Sequence, residues 1–133
     1  MKHVILRFAY AVGMHHWGPR SLEIDEPYVL KAEPQNPYDK NAVSITTNND
    51  TQRKLGYLSR DTAKYISAII LAELPHGKVY GKAKGPLEFR NRRHGPQQIM
   101  AIAFKCNEEN IQKVMDTLRH CPFSVTVKNP GKQ

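Results

Sequence analysis

The chain has 133 residues, of which 40% are hydrophobic, and it carries a formal net charge of +8 at pH 7. This length is typical of a single domain that can bury a core without disulfides, and no apolar run approaches the ~20 residues of a membrane span. The first residues also lack the long apolar stretch and the small-residue cleavage site of a signal peptide.

The positive charge is concentrated in one part of the sequence. Between Arg53 and Lys105 there are eleven Lys or Arg residues and three acids, whereas the rest of the chain holds nine of each. A basic half beside a neutral half favours a surface for a polyanion such as nucleic acid. Charge alone leaves open a merely solvated surface, and it does not distinguish DNA from RNA or from an acidic protein.

The first part of the chain predicts short strands joined by turns. Gly13 opens a loop after the first strand, the turn-rich residues 34–39 follow the second, and residues 48–50 form a hairpin turn. The four predicted strands are residues 3–12, 28–32, 42–46 and 54–58.

The second part predicts two helices and three further strands. Ser59 is a good N-cap for a helix that Pro75 ends, and Asn107 can cap a second helix. Each helix has an apolar stripe. The stripes consist of Ala63, Ile66, Ile70 and Leu74, and of Ile111, Val114, Met115 and Leu118. The predicted strands are residues 78–84, 99–104 and 123–127, with a long polar loop at 85–98.

This order of elements has no regular alternation of strand, helix and strand. It predicts a mainly β protein with two helices, of the α+β class, built as a small β-barrel with the helices packed on it. The sequence has no internal repeat and no linker. We therefore expect one domain over residues 1–128, followed by a disordered tail at 129–133.

Signs of catalysis or metal binding are weak. Residues 77–82 have the wrong glycine spacing for a phosphate-binding loop, and the adjacent His15 and His16 have no second pair at a metal-site spacing. Cys106 and Cys121 lie in no nucleophile or disulfide motif, which favours reduced thiols inside a cell. We expect no enzyme activity, metal or cofactor, and a location that is cytoplasmic in a prokaryote or nuclear in a eukaryote.

The segment 30–43 carries the clearest functional signal. Pro37 restricts the backbone before Tyr38, and the side chains of Asp39 and Asn41 can hydrogen-bond neighbouring backbone groups. The segment therefore predicts a stiff loop that places an aromatic ring, a carboxylate, a cation and an amide side by side. A purely structural turn between two strands stays open as an alternative.

Residues 36–43, with the sequence NPYDKNAV, followed by LGYLSRDTA at 55–63, resemble the HIRAN domain family. Residues 12–18 are similar to the first strand and loop of that family. The resemblance implies a small barrel related to OB and SH3-like folds. Some members are fused to SNF2-type ATPases or nucleases, and some capture the free 3′-hydroxyl end of single-stranded DNA.

The resemblance also implies roles for residues. Tyr38 would stack on the terminal base, Asp39 would accept a hydrogen bond from the 3′-hydroxyl, and Asn36 would shape the pocket. Where the family has Arg-Tyr-Tyr in its first loop, this chain has His15, His16 and Trp17, so a contact with phosphate there would depend on pH. The other residues expected to contact DNA are Tyr57, Arg60, Lys54, Lys82, Arg90, Arg92 and Arg93.

The implied function is sequence-independent binding of single-stranded DNA 3′-hydroxyl ends in replication-fork or repair processing. The expected partners are DNA and a helicase, ATPase or nuclease on a separate chain, with no membrane. Two alternatives remain. One is general binding of single strands, junctions or RNA, which the arginines of the 85–98 loop motivate. The other is a protein-interaction module without nucleic acid.

Overall fold

The computed structural model describes residues 1–16, 21–89 and 95–129 of the chain, with the side chain of His15 left out. Within these residues the backbone forms seven strands, two helices and one 3₁₀ turn at Met14–His16. The elements are β1 (Lys2–Val12), β2 (Tyr28–Ala32), β3 (Val43–Thr46), β4 (Lys54–Leu58), α1 (Arg60–Leu71), β5 (Pro75–Glu88), β6 (Gln97–Cys106), α2 (Glu108–Thr117) and β7 (Ser124–Lys128).

The strands close into an antiparallel barrel of six. The order around the ring is β1-β4-β3-β2-β5-β6, and β7 lies beside β1 outside the ring. The long strand β1 makes this possible because its end pairs with β4, at Ala11 with Leu58 and at Val12 with Tyr57. The register of β1 against β6 shifts between Leu6 and Ala9, a bulge that lets a long strand bend around a barrel. The predicted mainly β barrel with two helices is confirmed.

The core fills the barrel with the inward-facing residues of the strands. In β1 these include Val4 and Leu6, both fully buried, in alternation with more exposed neighbours. Helix α1 covers one end with Ile66 and Ile69, and α2 adds Val114. The predicted helix stripes are largely buried, but three members differ: Ile70 and Ile111 are half-buried, and Met115 is exposed.

The second helix makes a narrower contact than its stripe predicts. Met115 is 37% exposed because the buried contact of α2 runs through Val114, and Leu118 just after the helix, on a neighbouring line of the helix surface. Ser59 and Asn107 occupy the predicted N-cap positions, but neither side chain bonds a backbone N–H. The hydroxyl of Ser59 instead contacts that of Thr62 at 3.2 Å.

The hairpin of β5 and β6 is longer than predicted. Residues 85–88 and 97–98, expected in a loop, belong to these strands, and Gln98 is buried with its side chain bonded to the backbone of Leu22 and Gly85. Register shifts within β5 accommodate glycines that normally weaken a strand. Pro75 does not end the helix, since α1 stops at Leu71 and Pro75 is the first residue of β5.

The last described residue lies beside the first strand. Lys2 donates a hydrogen bond from Nζ to Oδ1 of Asn129, and the remaining residues of the predicted tail, 130–133, lie outside the described residues. In the described ranges, neither helix has the length and apolar character to cross a bilayer.

Gly56 gives a test of the closed barrel. A Cβ on Gly56 would lie 2.9 Å from the backbone carbonyl oxygen of Val12, which the strand pairing holds in place. We expect Gly56→Ala to lower the free energy of unfolding by about 1–3 kcal/mol through this overpacking. Gly81→Ala is the matched control, because the added Cβ meets the flexible end of Met100. Urea unfolding of both variants measures the difference, and an equal or larger loss for Gly81→Ala would contradict the prediction.

Candidate nucleic-acid interface

A pocket of about 890 Å³ opens beside the loop between β2 and β3. Its other walls are the end of β1, strand β4 and the first residue of α1. The floor is partly apolar and the rim carries charged and aromatic groups. The lining residues are Val12, Glu33, Pro34, Gln35, Asn36, Pro37, Tyr38, Asp39, Ala42, Lys54, Tyr57, Leu58 and Arg60.

Asn36 fixes the shape of the loop. Its Oδ1 accepts hydrogen bonds from the backbone N–H groups of Tyr38, at 2.9 Å, and Asp39, at 3.1 Å. Pro37, between Asn36 and Tyr38, has no N–H. The amide oxygen of Asn36 therefore bonds the next two N–H groups, along a backbone that proline has already restricted. The loop closes at its base, where Glu33 N–H bonds the carbonyl of Ala42 at 2.8 Å. The expected side-chain hydrogen bond to the loop backbone is present at Asp39, and Asn36 adds two more.

Tyr38 stands on this loop with its ring in solvent. Its side chain is 88% exposed, although Tyr38 N–H is held by Asn36. Large aromatic groups are normally buried because of the apolar area they carry. A ring held this far out on a stiff loop contributes little to folding and is available to stack on a flat ligand.

Asp39 sits beside Tyr38 at the rim. Its Oδ1 accepts the backbone N–H of Asn41 at 2.9 Å, and its Oδ2 lies 4.0 Å from Nε of Arg60. The carboxylate is 25% exposed, whereas the Arg60 side chain is 81% exposed. The pair therefore offers a hydrogen-bond acceptor inside the rim and an exposed cation outside it.

Glu33 connects several polar groups of the pocket wall, and its side chain is 22% exposed. Its Oε1 accepts hydrogen bonds from Tyr57 OH at 2.9 Å and Asn36 Nδ2 at 3.0 Å, and its Oε2 pairs with Lys54 Nζ at 2.7 Å. Lys54 Nζ also lies 2.9 Å from the Tyr57 hydroxyl and 5.0 Å from the ring centre. One carboxylate thus joins the loop that carries Tyr38 to strand β4.

The surroundings of Glu33 set its protonation. Burial favours the neutral acid, but the hydrogen bonds from Lys54, Asn36 and Tyr57 outweigh it, so the pKa of Glu33 is lowered from its ordinary 4.5. Burial likewise disfavours the charged Lys54, yet Glu33 and Tyr57 raise the pKa of Lys54 above its ordinary 10.5. Both groups are ionised at neutral pH and act as a partly buried ion pair.

Sequence reasoning did not single out Glu33. Strands β2 and β4 are separated in the sheet by β3, so the contacts of Glu33 with Lys54 and Tyr57 depend on side chains that reach across a strand. An acid at the end of a predicted strand, directly before proline, was the available signal, and it does not specify a partner.

Six predicted site residues meet at the pocket: Asn36, Tyr38, Asp39, Lys54, Tyr57 and Arg60. Lys82 does not line it, since it lies on β5, and His16 is exposed in the 3₁₀ turn. The side chain of His15 and the residues Trp17, Arg90, Arg92 and Arg93 lie outside the described residues.

The charge of the pocket differs from the basic surface that the sequence favours. Among the described lining residues, the two acids Glu33 and Asp39 balance the two bases Lys54 and Arg60. The lysines of β5 are on another side of the barrel. The same ranges hold no group of three or more His, Cys, Asp or Glu residues that could bind a metal ion.

The fold and this pocket define an OB-like barrel of the HIRAN type. The HIRAN domain profile matches residues 6–92, and the chain belongs to the HIRAN domain family. It is 32% identical over 104 residues to the helicase-like transcription factor of Oryctolagus cuniculus, a match that covers 76% of this chain and 9% of that protein. The chain therefore spans about a tenth of the length of this curated relative.

Solved structures of HIRAN domains have the same fold as this chain. The HIRAN domain of human HLTF superposes with a TM-score of 0.70 at 24% identity, over 97% of each chain. An NMR structure of the HLTF HIRAN domain in its DNA-bound conformation gives a TM-score of 0.55 at 25% identity, over 87% of this chain and 89% of that one. The barrel expected from the sequence resemblance is confirmed by these structures.

The Glu33 network predicts a pH dependence. Because the folded-state pKa of Glu33 is lowered, its contribution to stability is present above about pH 4.5 and is lost as the pH falls through the folded-state value. We expect Glu33→Gln to have a lower melting temperature than the parent at pH 7 and a difference that shrinks below pH 4.5. Thermal unfolding between pH 3 and pH 7 measures it.

Glu23→Gln is the control for this comparison, since Glu23 is exposed and outside the pocket. It should leave the melting temperature nearly unchanged at both ends of the range. A difference between Glu33→Gln and the parent that stays constant from pH 7 to pH 3 would contradict the assigned role of the carboxylate.

Proposed function

We propose that this domain binds the 3′-hydroxyl end of single-stranded DNA without regard to base sequence, as a non-catalytic module. The observation that carries the proposal is the Tyr38 ring, 88% exposed on a stiff loop, directly beside the Asp39 carboxylate. The ring suits a base and the carboxylate suits a hydroxyl. The last nucleotide of a strand presents both groups together.

The ring provides affinity without sequence preference. Every base has a π-face, so stacking on an exposed tyrosine tolerates any sequence and contributes about 1–3 kcal/mol per base. The Asn36 hydrogen bonds hold the loop before a ligand arrives, which reduces the entropy lost on binding.

The carboxylate provides the choice of terminus. A 3′-hydroxyl can donate a hydrogen bond to Oδ2 of Asp39, whereas a 3′-phosphate or an internal phosphate at that position meets a like charge. Two unit charges 4 Å apart repel by about 1 kcal/mol even in bulk water and by more near a protein surface. The balanced charge of the pocket supports this role, because a general polyanion site would not place two carboxylates among its lining residues.

Arg60 suits the phosphate that precedes the terminal nucleotide. Its side chain is 81% exposed and lies within 4.0 Å of Asp39, so it can remain beside the carboxylate and reach outward. The HLTF HIRAN domain, which has a structure in a DNA-bound conformation, supports DNA as the ligand. Fork or repair processing then requires a helicase, ATPase or nuclease, which we place on a separate chain.

The terminus itself gives the first test. We expect an oligonucleotide with a 3′-hydroxyl to bind at least about fivefold more tightly than the same oligonucleotide with a 3′-phosphate, because of repulsion at Asp39. Asp39→Asn keeps the acceptor for Asn41 N–H but removes the charge, so it should abolish this preference. Fluorescence anisotropy with the two oligonucleotides measures both ratios. Equal affinity of the parent protein for the two ends would reject end recognition in favour of general single-strand binding.

The ring gives the second test. Tyr38→Ala should weaken binding of the 3′-hydroxyl oligonucleotide by about 1–3 kcal/mol through loss of stacking. Its melting temperature should stay close to that of the parent, since the ring is exposed. Tyr38→Phe retains the ring and should bind nearly as well as the parent. If Tyr38→Ala unfolds the domain, the loop has a structural role instead.

A further inference from the structure

A second concavity, of about 350 Å³, lies on a different part of the barrel wall. It is formed by the first half of β1 with β5 and β6, and it shares no described lining residue with the Tyr38 pocket. In the ring order, β4 of the first pocket is separated from β5 by two strands on either side. A ligand in one concavity leaves the other accessible.

A row of basic side chains crosses this wall. Lys128 of β7 pairs with His3 of β1, His3 pairs with Lys105 of β6, and Lys105 pairs with His76 of β5. Residues directly opposite each other in antiparallel strands point to the same face. Four strands about 4.8 Å apart give a row about 14 Å long.

A bulge adds a fifth basic residue. The register of β5 shifts between His76 and Tyr80, and Gly77 takes a φ of +83°, a conformation that favours glycine. Lys78, two residues after His76, lies in this shifted segment and lines the same concavity. Beneath these groups lies a floor that includes Ile5 and the half-buried Tyr80.

The described lining of this concavity contains no acid. The nearby lysines that have acidic partners, Lys84 with Asp25 and Lys2 with Glu108, are not part of it. Because the lysines of this lining face no carboxylate within it, an external polyanion can supply the opposite charge.

We propose that this surface binds the phosphate backbone of double-stranded DNA, as a site separate from the Tyr38 pocket. A duplex carries one negative charge per ~1.7 Å of its axis, so several phosphates can face a row 14 Å long. Lysine and histidine donate hydrogen bonds to phosphate oxygens, and the absence of carboxylates in the described lining distinguishes this surface from the first pocket. The choice of DNA as the polyanion rests on the proposed function, whereas the charge row does not.

The alternative of a single strand is disfavoured by the shape of the surface. Single-strand sites combine cations with exposed aromatic rings for stacking, and here the tyrosine in the lining is half-buried in the floor. The domain would thus hold a strand end in one pocket and an adjoining or neighbouring duplex on the other wall.

The test uses covalently closed circular duplex DNA, which has no 3′ end. The double variant Lys78→Gln with Lys105→Gln should bind it at least about tenfold more weakly at low salt. The slope of log affinity against log salt should fall by about 2, one for each lost phosphate contact. The same variant should bind the single-stranded 3′-hydroxyl oligonucleotide as the parent does. The control, Lys31→Gln with Lys113→Gln, makes the same charge change at exposed lysines outside both concavities.

Three results would overturn the proposal. They are no binding of closed circular DNA by the parent, an equal effect of the test and control variants, and a parallel loss of single-strand end binding, which would mean one continuous site. Failure of the proposed function is visible separately, as equal affinity for 3′-hydroxyl and 3′-phosphate oligonucleotides. That result would leave the circular-DNA measurement unaffected.

Discussion

The pairing between the end of β1 and strand β4 supports both the barrel and the pocket. It consists of two residue pairs, Ala11 with Leu58 and Val12 with Tyr57, and it is reinforced by a 2.9 Å hydrogen bond from Ser59 N–H to the carbonyl of Tyr10. Gly56 lies so close to the carbonyl oxygen of Val12 that a side chain at position 56 has no room. Tyr57 and Leu58 belong to this junction, and Arg60 follows two residues later. Closing the ring therefore also assembles one wall of the pocket.

Glu33 connects that wall to the loop opposite. Its carboxylate bonds Tyr57 and Lys54 from β4 and Asn36 from the loop, so the position of Tyr38 and Asp39 is tied to the barrel through one acid. The cost of burying the charge is offset by three donors. Tyr38 and Arg60 at the rim can therefore be exposed and unpacked, while the Glu33 carboxylate that orders the wall is 22% exposed.

The barrel separates two kinds of charged surface. The Tyr38 pocket balances acids against bases and suits the uncharged end of a strand, whereas the wall of β1, β5 and β6 gathers cations and suits a phosphate backbone. A net charge of +8 does not indicate this division. It arises because β5 and β6, which carry Lys78, Lys82, Lys84 and Lys105, lie across the ring from β4 and β3.

The sequence by itself determined the local features of the protein: the strands at 28–32 and 54–58, the stiff Asn36–Asn41 loop, and through its motif the family. These follow from interactions between near neighbours, such as the Asn36 side chain with the next backbone N–H groups. Only the tertiary structure decided the role of Glu33, the length of the β5–β6 hairpin and the row from Lys128 to His76. Those features depend on register and ring closure between residues distant in sequence, which local periodicity does not specify.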